Sequence, residues 1–137
     1  PKRVMVAEHM DQIGFVVRLI GDDGFLRVQY GGGFDTRNLF ARVVRVCPQL
    51  DDPEADIIGV LQAKGKPLHL ASEEDRRVVP QVQDFYIDVG LPVSEARSHI
   101  PLGSMVVIDA PFRNDQGVIT APALVDRAGC WMLVDLM

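Results

Sequence analysis

Hydrophobic residues along most of this chain fall into short runs that glycine, proline and charged residues interrupt. The runs are rich in β-branched and aromatic residues, and turn signals recur roughly every 8 to 12 residues, a spacing typical of small barrels and sandwiches. We predict strands over residues 14–20, 25–30, 40–46, 57–61, 85–90, 105–109 and 117–120. The predicted fold is therefore mostly β, with a small barrel or sandwich as its main part.

The two ends of the chain follow a different pattern. Val4–Ala7 is a continuous apolar run, which favours a strand buried on both faces. From Asp126 onward the apolar spacing predicts a substantial helix. We therefore predict that the ends belong to an α/β domain into which the β module is inserted. Pro1 is not an initiator methionine and the last helix ends without a cap or breaker, which favours a fragment or a module cut from a larger fold.

Charge and composition narrow the classes of function. The 137 residues carry 14 basic and 19 acidic side chains, and no basic stripe stands clear of the acidic residues, which argues against nucleic-acid binding. No apolar run approaches the roughly 20 residues that span a bilayer, and no signal peptide is visible. We expect a cytoplasmic protein with no nucleic-acid or membrane partner, in which Cys47 and Cys130 are buried free thiols.

The candidate chemistry lies directly after the first apolar run, where one residue separates His9 from Asp11. In an extended segment residues i and i+2 point the same way, so an imidazole is predicted beside a carboxylate. One interpretation is a histidine that hydrogen-bonds an aspartate at a strand end. The other is a metal ligand, His9, with Asp11 fixing its tautomer and making it a better donor. The two residues alone leave both interpretations open.

Two other stretches have the composition of binding loops without the required spacing. Residues 31–33 are glycines, but neither a dinucleotide-binding fingerprint nor a P-loop motif surrounds them, so turn or bulge glycines are the simpler interpretation. The acidic loop at residues 50–55 lacks carboxylates at the alternate positions that a calcium loop uses. We predict a phosphate site or a calcium site at neither stretch.

The order of several short motifs along the chain resembles that of one family. The motifs are VAEHMDQIGFVV, DDGFLRV, GGGFDTR, IIGVLQAKGKPLHL, DFYIDVG, PLGSMVVID and ALVDRAGC. Together they cover essentially the whole chain, and they resemble the cytosolic dinuclear metallo-aminopeptidases, which include the glutamyl, deblocking and tetrahedral (TET-type) aminopeptidases. Some relatives in that family carry an endoglucanase label.

This resemblance implies a particular domain organisation. The family has an α/β catalytic domain that holds two metal ions and is interrupted by a PDZ-like β-barrel domain, which mediates dimerisation and caps the site. On this chain, residues 1–17 then form a strand of the catalytic domain, residues 18–118 form the barrel, and residues 119–137 return into the catalytic domain with the start of a helix. The implied partners are peptide substrates and further copies of the chain, in a dimer or a dodecamer.

The resemblance also assigns roles to individual residues. His9 matches the first metal-binding histidine, and Asp11 matches the catalytic aspartate that steers this histidine and the metal pair. Gln12 stands where glutamate is usual, at a position that is not a ligand. Val125 stands where the family has the aspartate that bridges the two metals, and Asp126, the next residue, is the candidate metal ligand of this motif. A valine offers no lone pair, so the metal pair is damaged unless Asp126 takes over.

The implied function is removal of N-terminal residues from peptides by an enzyme with two divalent ions, zinc or cobalt. The catalytic glutamate and the remaining ligands of the family have no counterpart in these residues. Because a zinc site requires about four donors, we expect this chain alone to bind no metal and to be inactive.

Two functions of other classes are the alternatives. The first is a non-catalytic relative or excised module that self-associates, for which Phe34, Leu39 and Phe40 are candidate contacts, although core positions suit them equally. The second is a polysaccharide-binding or glycosidase module, which requires paired carboxylates and aromatic residues that stack on sugars. With 1 Trp and 2 Tyr in the chain, composition disfavours the second alternative.

Overall fold

A computed structural model of the chain describes residues 3–33, 35–66 and 69–137, so that Phe34 lies outside the described residues. Strands and helices follow one another as β1 (Gly14–Ile20), β2 (Leu26–Gly31), β3 (Arg42–Cys47), β4 (Ile57–Ala63), α1 (Glu73–Arg77), β5 (Phe85–Asp88), α2 (Val93–His99), β6 (Met105–Ile108), β7 (Arg113–Asp115), β8 (Val118–Thr120) and α3 (Leu124–Asp135). Every predicted strand from residue 14 onward is confirmed to within two residues at each end.

Six of the strands form a closed barrel in the order β1-β2-β5-β4-β3-β6, and β1 pairs with β6 to close it. All neighbouring strands are antiparallel. A closed barrel leaves no unpaired edge strand, and its interior is filled by alternate residues of each strand. The largest fully buried side chains are Phe15, Phe85, Leu26, Leu39, Leu61, Ile87, Ile100, Val17, Val44, Val46 and Val106. The prediction of a mostly β fold with a small barrel is confirmed.

The contacts divide the chain into two compact units. The barrel unit is Gly14–Asp109, and the terminal unit combines Pro1–Ile13 with Ala110–Met137. The chain passes from one unit to the other near residues 13 and 110. The domain boundaries near residues 17 and 118 that the resemblance implies stay predictions. In the terminal unit β7 and β8 form an antiparallel two-stranded sheet, which no other strand of the described residues joins. None of the helices described has the length and apolar character that crossing a bilayer requires.

The prediction of a buried strand at Val4–Ala7 is wrong for this chain. Residues 3–13 form no strand, helix or turn, and Val4 and Met5 are 85% and 89% exposed. A strand needs a neighbour to pair with its backbone N–H and C=O groups, and no strand in the described part of the chain pairs with this segment. The apolar run alone carried no information about its partner. The two cysteines are free as predicted, but both are half-buried instead of buried.

Candidate metal centre

The candidate residues come from two elements of the terminal unit. His9 and Asp11 lie in the irregular segment 3–13, and Asp126 lies in the first turn of α3. The helix begins after Ala123, whose φ of 50° and ψ of 34° place it in the left-handed region. Such a conformation is uncommon for a residue with a Cβ atom, and here it turns the chain into α3 so that Asp126 follows within the first turn.

The imidazole of His9 lies between two carboxylates. Its Nδ1 is 3.1 Å from Asp11 Oδ1 and 3.2 Å from the Asp11 carbonyl oxygen, and its Nε2 is 3.3 Å from Asp126 Oδ1. With the proton on Nδ1, the ring donates to Asp11 and its Nε2 lone pair faces Asp126. The structure therefore brings together all three residues that the sequence singled out for the site.

Asp126, and not its neighbour Val125, approaches His9. The Val125 side chain is 85% exposed, whereas the Asp126 side chain is 25% exposed and reaches the imidazole. Adjacent residues on an α-helix point about 100° apart, so only one of the two can face the segment that carries His9. A carboxylate therefore lies at the imidazole although the motif has valine at the family's bridging position.

Glu8 supplies a third donor group, which was not predicted from the sequence. One donor atom from each of Glu8, His9 and Asp126 lies within 4.8 Å of the others. The Glu8 carboxylate also accepts a hydrogen bond from the backbone N–H of His9 at 3.1 Å. In the sequence Glu8 is the carboxylate directly before His9. It was missed because the i, i+2 pattern relates His9 only to residues two positions away.

The donors present suit a divalent cation. Zinc binds imidazole nitrogen and carboxylate oxygen at about 2.0–2.1 Å, so two such ligands of one tetrahedral ion lie roughly 3.3 Å apart. His9 Nε2 and Asp126 Oδ1 are separated by 3.3 Å. The Glu8 donor atom lies within 4.8 Å of a donor atom of each of these two residues. Because the donors are nitrogen and oxygen, several divalent ions are compatible with them.

The charge of Asp126 raises the pKa of His9. It is the largest cause that raises the pKa of His9 above the ordinary value of 6.5; partial desolvation opposes it, and the charge and hydrogen bonds of Asp11 add to it. A raised pKa means that the folded protein favours the imidazolium, so this stabilisation is present below pH 6.5 and is lost as the pH rises through the folded pKa. His9 is exposed enough for solvent to screen the effect.

We expect Asp126→Asn to lower the pKa of His9 in the metal-free protein, measured by NMR titration of the imidazole nitrogens. The amide removes the negative charge at Nε2 and keeps the side-chain volume. Asp135→Asn, at the far end of α3, is the matched control and should leave the His9 titration unchanged. Equal shifts in the two variants would show that the local contact at Nε2 is not the cause.

The sequence profile of the M42 glutamyl aminopeptidase family matches residues 1–137. Among individual proteins, the chain is similar to SgcX of Escherichia coli K12, at 31% identity over 137 residues that cover 96% of this chain and 35% of SgcX. It is also similar to the lysyl aminopeptidase of Pyrococcus furiosus, at 36% identity over 89 residues that cover 64% of this chain and 24% of that enzyme.

Solved structures agree with the sequence comparison. A TET aminopeptidase from the marine sediment archaeon Thaumarchaeota archaeon SCGC AB-539-E09 has a TM-score of 0.80 at 27% identity, over 95% of this chain and 36% of that one. The Pyrococcus horikoshii TET1 peptidase can assemble into a tetrahedron or a large octahedral shell. It has a TM-score of 0.75 at 29% identity, over 93% of this chain and 37% of that one. A Thermotoga maritima protein named endoglucanase has a TM-score of 0.72 at 29% identity, over 95% of this chain and 35% of that one.

These comparisons confirm the resemblance predicted from the order of the motifs, including the relative that carries an endoglucanase name. The chain spans about a third of the length of SgcX and of the similar solved structures. The match to the family profile extends over every residue of the chain. The chain therefore belongs to the M42 glutamyl aminopeptidase family.

Proposed function

We propose that this chain is part of a metal-dependent aminopeptidase that removes N-terminal residues from peptides. In this proposal His9 and Asp126 are metal ligands and Asp11 is the carboxylate that orients His9. The observation that carries the proposal is the 3.3 Å separation of His9 Nε2 and Asp126 Oδ1 in a chain of the M42 family, whose aminopeptidases are metal-dependent. The complete protein, meaning the whole polypeptide to which this chain belongs, supplies the activity.

Asp11 acts through His9. By accepting a hydrogen bond from Nδ1, its carboxylate favours the tautomer in which Nε2 carries a free lone pair, and it makes the ring more basic. Its carbonyl oxygen lies at a similar distance from the same nitrogen and favours the same tautomer. Asp126 then presents an anionic oxygen on the Nε2 side of the ring. Once the imidazole loses the proton on Nε2, the chain offers one neutral nitrogen donor beside one anionic oxygen donor, 3.3 Å apart.

When bound, divalent ions such as zinc or cobalt polarise the scissile carbonyl of the peptide and lower the pKa of the attacking water. We place the remaining ligands and the general base outside these 137 residues, because the chain spans about a third of its relatives and a zinc site requires about four donors. The chain alone is accordingly proposed to be inactive.

The test is metal content and peptide hydrolysis by the complete protein. We expect about two Zn²⁺ or Co²⁺ per polypeptide by elemental analysis, release of N-terminal amino acids from short peptides, and loss of that release after chelation, restored when metal is added back. A folded complete protein that neither binds these ions nor cleaves peptides would overturn the proposal. The 137-residue chain, assayed in parallel, should release no amino acids.

We further propose that the complete protein forms homo-oligomers through the outer face of the barrel. Val43 and Val60 are paired across β3 and β4, and Ile58 lies on the same face of β4; all three side chains are exposed. Apolar patches of this kind mark interaction surfaces. The similar TET1 peptidase of Pyrococcus horikoshii can assemble into a tetrahedron or a large octahedral shell, which supports assembly here without identifying the contact.

Light scattering tests this interface. We expect the wild-type complete protein to have a mass that rises with concentration to a dimer or a larger assembly, and Val60→Lys to shift it toward the monomer because a lysine charge would be buried in the contact. Ile119→Lys, at a similarly exposed apolar residue of β8, is the matched control. A wild-type protein that stays monomeric at high concentration would contradict assembly of any kind.

A further inference from the structure

Two side chains of α3 donate hydrogen bonds to the backbone of the segment that carries His9. Arg127 Nε donates to the carbonyl oxygen of Met10 at 3.0 Å, and Cys130 Sγ donates to the carbonyl oxygen of His9 at 3.3 Å. Residues three apart lie on the same face of a helix, so Arg127 and Cys130 reach consecutive carbonyl groups from one side. Neither residue was predicted from the sequence to belong to the site.

A glycine between these two residues brings the segment close to the helix. A Cβ atom at Gly129 would lie 2.5 Å from Glu8 Oε2 and 2.6 Å from Glu8 Cγ. Cβ atoms in proteins do not approach non-bonded atoms this closely. Without a Cβ at this position, the Glu8 side chain packs directly against α3. The segment from Glu8 to Met10 therefore contacts the helix by one close approach and two hydrogen bonds, in addition to the pair of His9 and Asp126.

These contacts matter because the segment has little else to fix its backbone. Residues 3–13 belong to no strand, and the side chains of Val4, Met5 and Met10 are largely exposed. A metal site, by contrast, requires its donors to be held to within about 0.5 Å of their productive positions. The two hydrogen bonds act on the carbonyl of His9 itself and on the next one, so they restrain the backbone from which the imidazole projects.

We propose that Arg127 and Cys130 are positioning residues that clamp the backbone carbonyls of Met10 and His9 to α3 and thereby hold His9 Nε2 and Asp126 Oδ1 at the separation of two ligands of one ion. This inference rests on the proposed metal-dependent function. In it Cys130 contributes a hydrogen-bond donor and not a metal-binding thiolate. The clamp spans the first and second turns of α3, directly beside Asp126.

The test compares zinc affinity and the visible spectrum of bound Co²⁺ in variants of the complete protein. Arg127→Met keeps most of the side-chain stem and removes the donors, Cys130→Ala removes the thiol, and Cys130→Ser keeps a donor. Loss of groups that orient metal ligands typically weakens binding about 10- to 100-fold, so we expect at least about a 10-fold loss of zinc affinity and an altered cobalt spectrum in the first two variants. Cys130→Ser should have the zinc affinity and the cobalt spectrum of the wild type.

Matched controls separate the clamp from general effects of losing a cysteine or an arginine. Cys47→Ala removes the other free thiol, which lies in the barrel, and Arg113→Met removes an exposed arginine of β7. Both should bind zinc as the wild type does. Thermal unfolding of every variant checks folding. If Cys130→Ala does not fold, the test is whether Arg127→Met loses zinc affinity while Cys130→Ser keeps it.

The outcomes distinguish failure of the clamp from failure of the proposed function. If the wild-type protein binds no zinc, both the proposed function and the proposed clamp are overturned. Wild-type binding with the same affinity and cobalt spectrum in Arg127→Met and Cys130→Ala would overturn the clamp alone. A thiolate-to-cobalt charge-transfer band that disappears in both Cys130 variants would also overturn it, because Cys130 would then be a ligand.

Discussion

Asp126→Ala is expected to weaken zinc binding by the complete protein at least about 100-fold, because it removes an anionic donor that faces His9 Nε2. Changes to groups that only orient metal ligands already weaken binding about 10- to 100-fold, so loss of Asp126, as a proposed ligand, should reach or exceed the upper end of that range. Peptide hydrolysis should fall with metal occupancy and should not recover at high substrate concentration. Competitive titration with a zinc indicator measures the affinity, and initial rates measure the activity.

Two variants at the neighbouring position make this prediction specific. Val125→Ala should leave zinc affinity unchanged, because the Val125 side chain is 85% exposed. Val125→Asp combined with Asp126→Ala should not restore binding, because a carboxylate at residue 125 points about 100° away from the direction of residue 126. Recovery of zinc binding in that double variant would show that residue 125 holds the metal-facing position and that the observed approach of Asp126 to His9 is not the functional one.

Phe15→Ala is expected to lower the free energy of unfolding of the barrel by about 3–5 kcal/mol, the usual cost of removing a buried phenylalanine side chain. Phe15 is fully buried on β1, which closes the barrel by pairing with both β2 and β6. A loss of this size is a large fraction of the roughly 5–15 kcal/mol that stabilises a typical domain. Urea denaturation followed by circular dichroism measures the change.

Phe112→Ala is the matched control for Phe15→Ala. Its ring is exposed and lies outside the barrel unit, so the expected change is within about 0.5 kcal/mol. If the two substitutions cost the same free energy, Phe15 would not belong to the cooperative core that the barrel requires. An unchanged midpoint in Phe15→Ala would contradict the closure of the barrel by β1.

The barrel was predictable from sequence because its signals are local. β-branched runs such as Arg42–Cys47 and turn residues such as Gly21 and Gly24 act within a few positions of the element that they define. The run Val4–Ala7 carried the same local signal and yet forms no strand, because strand formation depends on a partner that the local pattern does not reveal. Apolar runs thus predicted strands correctly where a neighbouring run could pair with them. The prediction was wrong at Val4–Ala7, which has no such neighbour among the described residues.

The candidate site was predictable only in part. The i, i+2 spacing of His9 and Asp11 was sufficient to place them together, and the family resemblance added Asp126. The motif alignment could not give the rotation of α3, which decides whether residue 125 or residue 126 faces the imidazole. The clamp was beyond sequence reasoning, because Arg127 and Cys130 contact residues that precede them by 117 and 121 positions.

We have proposed that His9 and Asp126 bind the same metal ion. The most direct measurement is an anomalous difference map at the zinc absorption edge from crystals of the complete protein grown with Zn²⁺. We predict a peak at about 2.0–2.1 Å from both His9 Nε2 and an Asp126 carboxylate oxygen, with Asp11 at Nδ1 of the same ring. A zinc peak bound by other residues, with His9 and Asp126 free of metal, would contradict the claim.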